Sequence, residues 1–104
     1  MKSQPVEALE VVELDLRAAK EFYSWRSDGS DYFHGQFLEA VHWIEWNPEM
    51  FSKKFGFFRR VIIRNTFFAI FYAIEPDVTT IVAVVDMRQR PRGILKLVRG
   101  RKKI

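Results

Sequence analysis

Residues 57–74 read Phe57-Phe58-Arg59-Arg60-Val61-Ile62-Ile63-Arg64-Asn65-Thr66-Phe67-Phe68-Ala69-Ile70-Phe71-Tyr72-Ala73-Ile74. After Glu75-Pro76-Asp77 comes a third run, Val78-Thr79-Thr80-Ile81-Val82-Ala83-Val84-Val85-Asp86, and Met87-Arg88-Gln89-Arg90-Pro91 closes it. Three short runs of β-branched and aromatic residues divided by compact polar breaks predict a three-strand antiparallel meander. The middle run, 67–74, carries no charge, as suits a strand with a neighbour on each side. Pairing 57–64 with 67–74 across a two-residue turn at Asn65-Thr66 sorts the side chains into two faces. Phe57, Arg59, Val61 and Ile63 fall with Phe68, Ile70, Tyr72 and Ile74 on the bulkier face, the expected core face. Phe58, Arg60, Ile62 and Arg64 fall with Phe67, Ala69, Phe71 and Ala73 on a mixed face, the expected working face.

Upstream, residues 4–9 alternate weakly and suit a short first strand. From about Val11 to Arg26, Val12, Leu16, Ala19 and Tyr23 recur at helical spacing. Ser27-Asp28-Gly29-Ser30 breaks the pattern, with Gly29 suited to a helix C-terminal cap and Ser30 to an N-cap. A second helix over about 31–46 aligns Phe33, Phe37, Ala40, Val41 and Ile44, and Asn47-Pro48 ends it. The expected architecture is α+β: an N-terminal strand and an α-helical hairpin packed on a mostly antiparallel sheet with a three-strand C-terminal meander. Residues 49–56 are read as a loop. One domain is expected over 1–92, with 93–104 a basic C-terminal tail in which Gly93 to Val98 forms a strand or a helical turn.

At 104 residues and 48% hydrophobic content the chain can bury about two-thirds of its unfolded surface. It has no cysteine, so neither disulfides nor thiolate metal sites arise. The start lacks the apolar run of a signal peptide, and the longest uncharged run is far short of the ~20 residues that span a bilayer. A cytoplasmic protein without membrane association is expected. The net charge of +4 conceals an asymmetry, because residues 88–104 hold eight Lys/Arg and no acid while the remainder is net acidic. A basic terminus on an acidic body points to a polyanion or an acidic protein partner, or serves solubility alone.

Catalytic motifs are scarce. No serine stands in a Gly-x-Ser-x-Gly context and no glycine loop suits a phosphate. His34 and His42 find no convincing third ligand, so no metal and no cofactor is expected. Arg60 and Arg64 on the mixed face, with Arg88 and Arg90 after the last strand, form the candidate target- or nucleic-acid-binding set, since each guanidinium forks donors toward phosphate oxygens. Phe58, Phe67 and Phe71 could stack bases between them. The alternative pairs these arginines with Asp86 and the helix carboxylates. Arg99, Arg101, Lys102 and Lys103 form a partner-binding tail, and a cut after Val98 removes no expected core residue. Trp43 is read as hydrophobic cover, while Trp25 and Trp46 suit either cover or an interface.

Asp15-Leu16-Arg17-Ala18-Ala19-Lys20-Glu21-Phe22-Tyr23 resembles the Asp-Leu-x-x-Ala-x-x-Tyr-Tyr pattern that opens toxins of the RelE/ParE family. Phe37 to Val41 with Asn47-Pro48 resembles the family's second helix and its stop. Arg59-Arg60-Val61, Phe68 to Tyr72 and Ala83-Val84-Val85, with Arg88 and Pro91, resemble its three-strand block. The likeness covers about residues 6–92. It implies the toxin half of a type II toxin–antitoxin (plasmid stabilisation) module, partnered by an antitoxin as a hetero-oligomer, or itself a homodimer. The family's usual Phe-Pro before the middle strand is Thr66-Phe67 here, and the basic or His residue after the last strand is Asp86. RelE-like members cut messenger RNA on the ribosome, with basic residues across the sheet and a tyrosine after the last strand. Arg60, Arg64 and Arg88 match that set, whereas Ile62, Ala69 and Ile94 stand where two basic residues and the tyrosine belong. The resemblance therefore implies the ParE-like branch, which inhibits DNA gyrase, over a messenger RNA endonuclease. A toxin-fold protein that has lost toxicity and only binds a partner or nucleic acid is the third reading.

Overall fold

The computed structural model describes residues 3–102. Its elements are β1 (Val6–Ala8), α1 (Val12–Tyr23), α2 (Gly29–Trp46), β2 (Lys53–Phe55), β3 (Phe58–Ile62), β4 (Phe68–Ile74), β5 (Thr79–Asp86) and α3 (Pro91–Arg101). The five strands form one sheet in the order β1-β5-β4-β3-β2, with β1 parallel to β5 and the other pairs antiparallel. This is the expected α+β arrangement, with two additions: a short strand at 53–55 and a third helix.

The meander forms in the register read from the sequence. Phe58 stands opposite Ala73, Arg60 opposite Phe71 and Ile62 opposite Ala69. The connection is longer than two residues. Ile63 N–H bonds Phe68 O at 2.9 Å, Thr66 N–H bonds Ile63 O at 3.1 Å, and Asn65 supplies φ +61°. Asparagine is among the few residues that accept the left-handed region readily. At the β2–β3 turn Gly56 has φ +63° for the same reason.

One sheet face carries Val61, Ile63, Phe68, Ile70, Tyr72, Ile81 and Val84, packed against Val12 and Ala19 of α1 and Phe33, Phe37, Ala40 and Ile44 of α2. That is the expected core face. The other face departs from expectation. Phe58, Ala69, Phe71, Ala73, Val82, Ala83 and Val85 are also buried, together with Ile94 and Val98 of α3. The mixed face is thus largely a second core, and α3 is its lid. Residues 93–101 are helix and not a tail. Pro91 at the first helical position fixes φ, extended Arg90 precedes it, and Ile94 and Val98 recur four apart on the buried side. The sequence suggests no more than a strand or a helical turn over 93–98, because only two positions of this helix are buried and basic residues dominate its composition.

At the α1–α2 junction the left-handed residue is Asp28, φ +77°, and not Gly29. Gly29 opens α2 and lies against α1: a Cβ there would meet the Tyr23 carbonyl oxygen at 1.9 Å. Ser30 does not cap α2; its hydroxyl donates to Lys20 O at 2.9 Å and ties the two helices together.

β5 carries a bulge. Phe71 pairs with Ala83 but Tyr72 pairs with Ile81, which leaves Val82 as the extra residue. The bulge turns Val82 and Ala83 toward the α3 side, and β1 ends beside it at Ile81.

Candidate functional site

The four candidate arginines do not converge. Arg60 lies part-buried on β3, on the α3 side of the sheet by strand alternation, and its N–H donates to Ser52 O at 3.3 Å. Arg64 is exposed at the β3–β4 turn, on the rim of a groove of about 320 Å³ that also involves Gln36, Glu39, Trp43, Phe51 and Ile62. Arg90 is exposed at the start of α3.

Arg88 is held in place on several sides. Its Nε donates to Asp86 Oδ1 at 3.0 Å and its Nη2 to Oδ2 at 2.5 Å, and its backbone N–H also donates to Oδ1. Its guanidinium lies 4.3 Å from the Phe67 ring centroid and 4.8 Å from that of Phe22. The hydrogen bonds from Arg88 hold the Asp86 carboxyl below its usual range, and those to Asp86 raise Arg88. Arg88 therefore pins the end of β5 to Phe22 of α1 and to Phe67 just before β4, the ion-paired alternative weighed from the sequence. Half of its side chain stays exposed, so it can still donate outward.

The basic end divides into two groups. Arg101 donates to both carboxylate oxygens of Asp15, at 2.5 and 2.9 Å, and to Val82 O at 3.1 Å. Lys102 Nζ lies 3.2 Å from Glu75 Oε2, and Glu75 also accepts from the Thr80 hydroxyl. These two residues fasten α3 and do not extend toward a partner. Arg99 is exposed, and Lys103 lies outside the described residues.

The positions where the RelE-like reading needs basic residues and a tyrosine now have surroundings. Ala69 is fully buried and Ile94 is 2% exposed, both within the core under and including α3. Ile62 is exposed beside the Trp43 groove. Tyr72 donates to Pro48 O at 2.6 Å inside the helix-side core, and burial pushes its hydroxyl up to about 12. It cannot serve as an acid or base near neutrality.

Two surface features lie outside the arginine set. Trp43 and Trp46, read partly as cover, are 41% and 62% exposed and pack edge to face on α2 beside the groove. A second cavity of about 380 Å³ lies at the α1–α2 junction among Tyr23, Arg26, Asp28, Gly29, Tyr32 and Asn65. Asp28 and Asn65, the two left-handed non-glycine residues among the described residues, line it. Such backbone conformations leave little trace in sequence. Asp15 did leave one: it lies on the apolar stripe of α1 between Val12 and Ala19, where an unpaired carboxylate would be costly.

No protein-family model and no curated protein matches the sequence. Among solved structures, the fold is similar to a chain of the chromosomal ParDE TA system from P. aeruginosa. The superposition has a TM-score of 0.70 at 10% sequence identity and covers 81% of this chain and 96% of that one. The protein thus shares its fold with a component of a toxin–antitoxin system.

Proposed function

We propose that this protein is the toxin of a type II toxin–antitoxin module, of ParE-like character, which acts by binding a protein target and is neutralised by an antitoxin. DNA gyrase is the proposed target. The observation that carries the reading is the occupied second face of the sheet. RNA cleavage needs a general base and acid around the ribose 2′-oxygen. Ala69 of β4 and Ile94 of α3, both buried in the core between the sheet and α3, fill the place with apolar atoms. The fold shared with a ParDE chain supports the same branch.

Antitoxin binding is assigned to the groove between α2 and β3, where Trp43, Trp46 and Ile62 are exposed. Strand alternation also leaves the Ile62 N–H and C=O on the β2 side of β3, beyond the reach of the short strand β2. An apolar groove beside an open strand edge suits an extended or helical partner segment. Expression of this chain in a bacterial host tests the module. Growth arrest relieved by the adjacent small gene is expected; unimpaired growth with no binding between the two products overturns the assignment.

A further inference from the structure

We infer that the outer face of α3 is a binding site for the phosphate backbone of nucleic acid. The basic end contains seven described Lys/Arg between 88 and 102 and no acid. Arg88, Arg101 and Lys102 are ion-paired with Asp86, Asp15 and Glu75. The other four, Arg90, Arg92, Lys96 and Arg99, are all exposed and have no salt-bridge partner among the described residues. The fold neutralises the cations that hold α3 down and leaves the outward ones uncompensated.

Their arrangement is regular. Arg92, Lys96 and Arg99 stand at i, i+4 and i+7, one row on the helix surface, and span about 10 Å at 1.5 Å per residue. Arg90, the extended residue just before α3, is a fourth exposed cation off that row. The adjacent row is Gly93, Leu97 and Gly100, and a Cβ on either glycine would meet nothing within 4 Å. The face is therefore cationic and low-relief, open to close approach by a linear polyanion. Residues 10–46, which carry α1 and α2 on the opposite side of the sheet, hold eight acids against three bases. The hairpin side would repel the same ligand, so binding is directed to α3.

A protein partner fits this face less well. Stable protein interfaces draw on a buried apolar centre, and this face offers one exposed large apolar side chain, Leu97. A bilayer would likewise need apolar residues to insert. Binding has to come from charge, the regime in which nucleic acid releases counterions. The inference does not depend on the toxin reading, because neither cleavage nor growth is its readout.

The test is fluorescence anisotropy of the full chain with a labelled 20-base-pair DNA duplex over a salt series. Neutralising three to four phosphates predicts a slope of log K against log[salt] of about −3, and roughly 40- to 150-fold weaker binding at 200 mM than at 50 mM salt. The variant R92A/K96A/R99A should cut the slope to about −1 while leaving the thermal midpoint unchanged, since all three side chains are exposed. The control K53A/K54A, which removes two exposed lysines from β2, should leave it unchanged. No binding at 50 mM salt, an equal loss in the control, or equal binding of polyglutamate or anionic phosphatidylserine vesicles would each overturn the proposal.

Discussion

Arg101 and Asp15, 86 residues apart in sequence, form a two-pronged ion pair at the one place where β5 has an edge and a bulge together. Beyond Ile81 the strand has no β1 partner. Arg101 donates to Val82 O, and Asp15 Oδ2 accepts the Val84 N–H at 3.0 Å. The pair thus satisfies two backbone groups that would otherwise face an incomplete sheet edge, and it links α1, β5 and α3. It is mostly buried, with 16% and 13% of the two side chains exposed.

Breaking this pair should be costly because each partner leaves behind a charge and an unpaired backbone group. Arg101→Ala or Asp15→Ala should each destabilise the fold by about 2–4 kcal/mol, with the double variant costing much less than the sum. Chemical denaturation of the four proteins checks this. Truncation after Val98, harmless on the tail reading, should now cost at least as much as Arg101→Ala.

Gly29 sets the approach of the two hairpin helices. Gly29→Ala places a methyl on the Tyr23 carbonyl oxygen, with backbone on both sides and no flexible chain to yield. The expected loss is about 1–3 kcal/mol or more, measured by thermal unfolding. Gly93→Ala, on exposed helix with open space around it, should instead be neutral or raise stability by up to about 1 kcal/mol.

Tyr72 predicts the alkaline limb of stability. Its hydroxyl ionises near 10.0 when unfolded and at about 12 when folded, because burial disfavours the phenolate. Above pH 10 the unfolded chain releases a proton that the folded chain keeps, so stability is full below pH 10 and falls from there toward pH 12. In Tyr72→Phe this part of the decline should vanish, at the expense of about 1–2 kcal/mol at neutral pH for the lost bond to Pro48 O.

Asp86 acts at the other end of the scale. Its folded pKa lies below 3.8, chiefly through the Arg88 hydrogen bond. The stabilisation is present above about pH 4 and is lost as pH falls through the folded value. Arg88→Ala should return the Asp86 carboxyl toward its ordinary range in an NMR titration. An unmoved Asp86 would mean that the pair is not formed in solution.

The sheet and hairpin were legible because their signals are local and repeated. The alternation through Val61, Ile63, Ile70 and Tyr72 set the register, and the Phe33–Phe37–Ala40–Ile44 stripe set the helix. α3 was hidden because Ile94 and Val98 are two buried positions amid cations, and a tail and an amphipathic helix share that composition. The site suffered most from this. Arg60 and Arg64 read as one working face only while that face was thought open; once α3 covers it, Arg64 belongs to the α2 groove and Arg88 to an aromatic clamp. Arg88–Asp86 is local and was legible, but the pairing of Lys102 with Glu75 and of Arg101 with Asp15, 86 residues apart, is carried by no local pattern.

A gyrase supercoiling assay with purified chain tests the central claim most directly. With relaxed plasmid, ATP and gyrase, added protein should suppress supercoiling in proportion to its concentration, and messenger RNA in a translating extract should stay intact. Undiminished supercoiling, together with codon-registered cleavage of that messenger RNA, would contradict the account and return the protein to the nuclease branch.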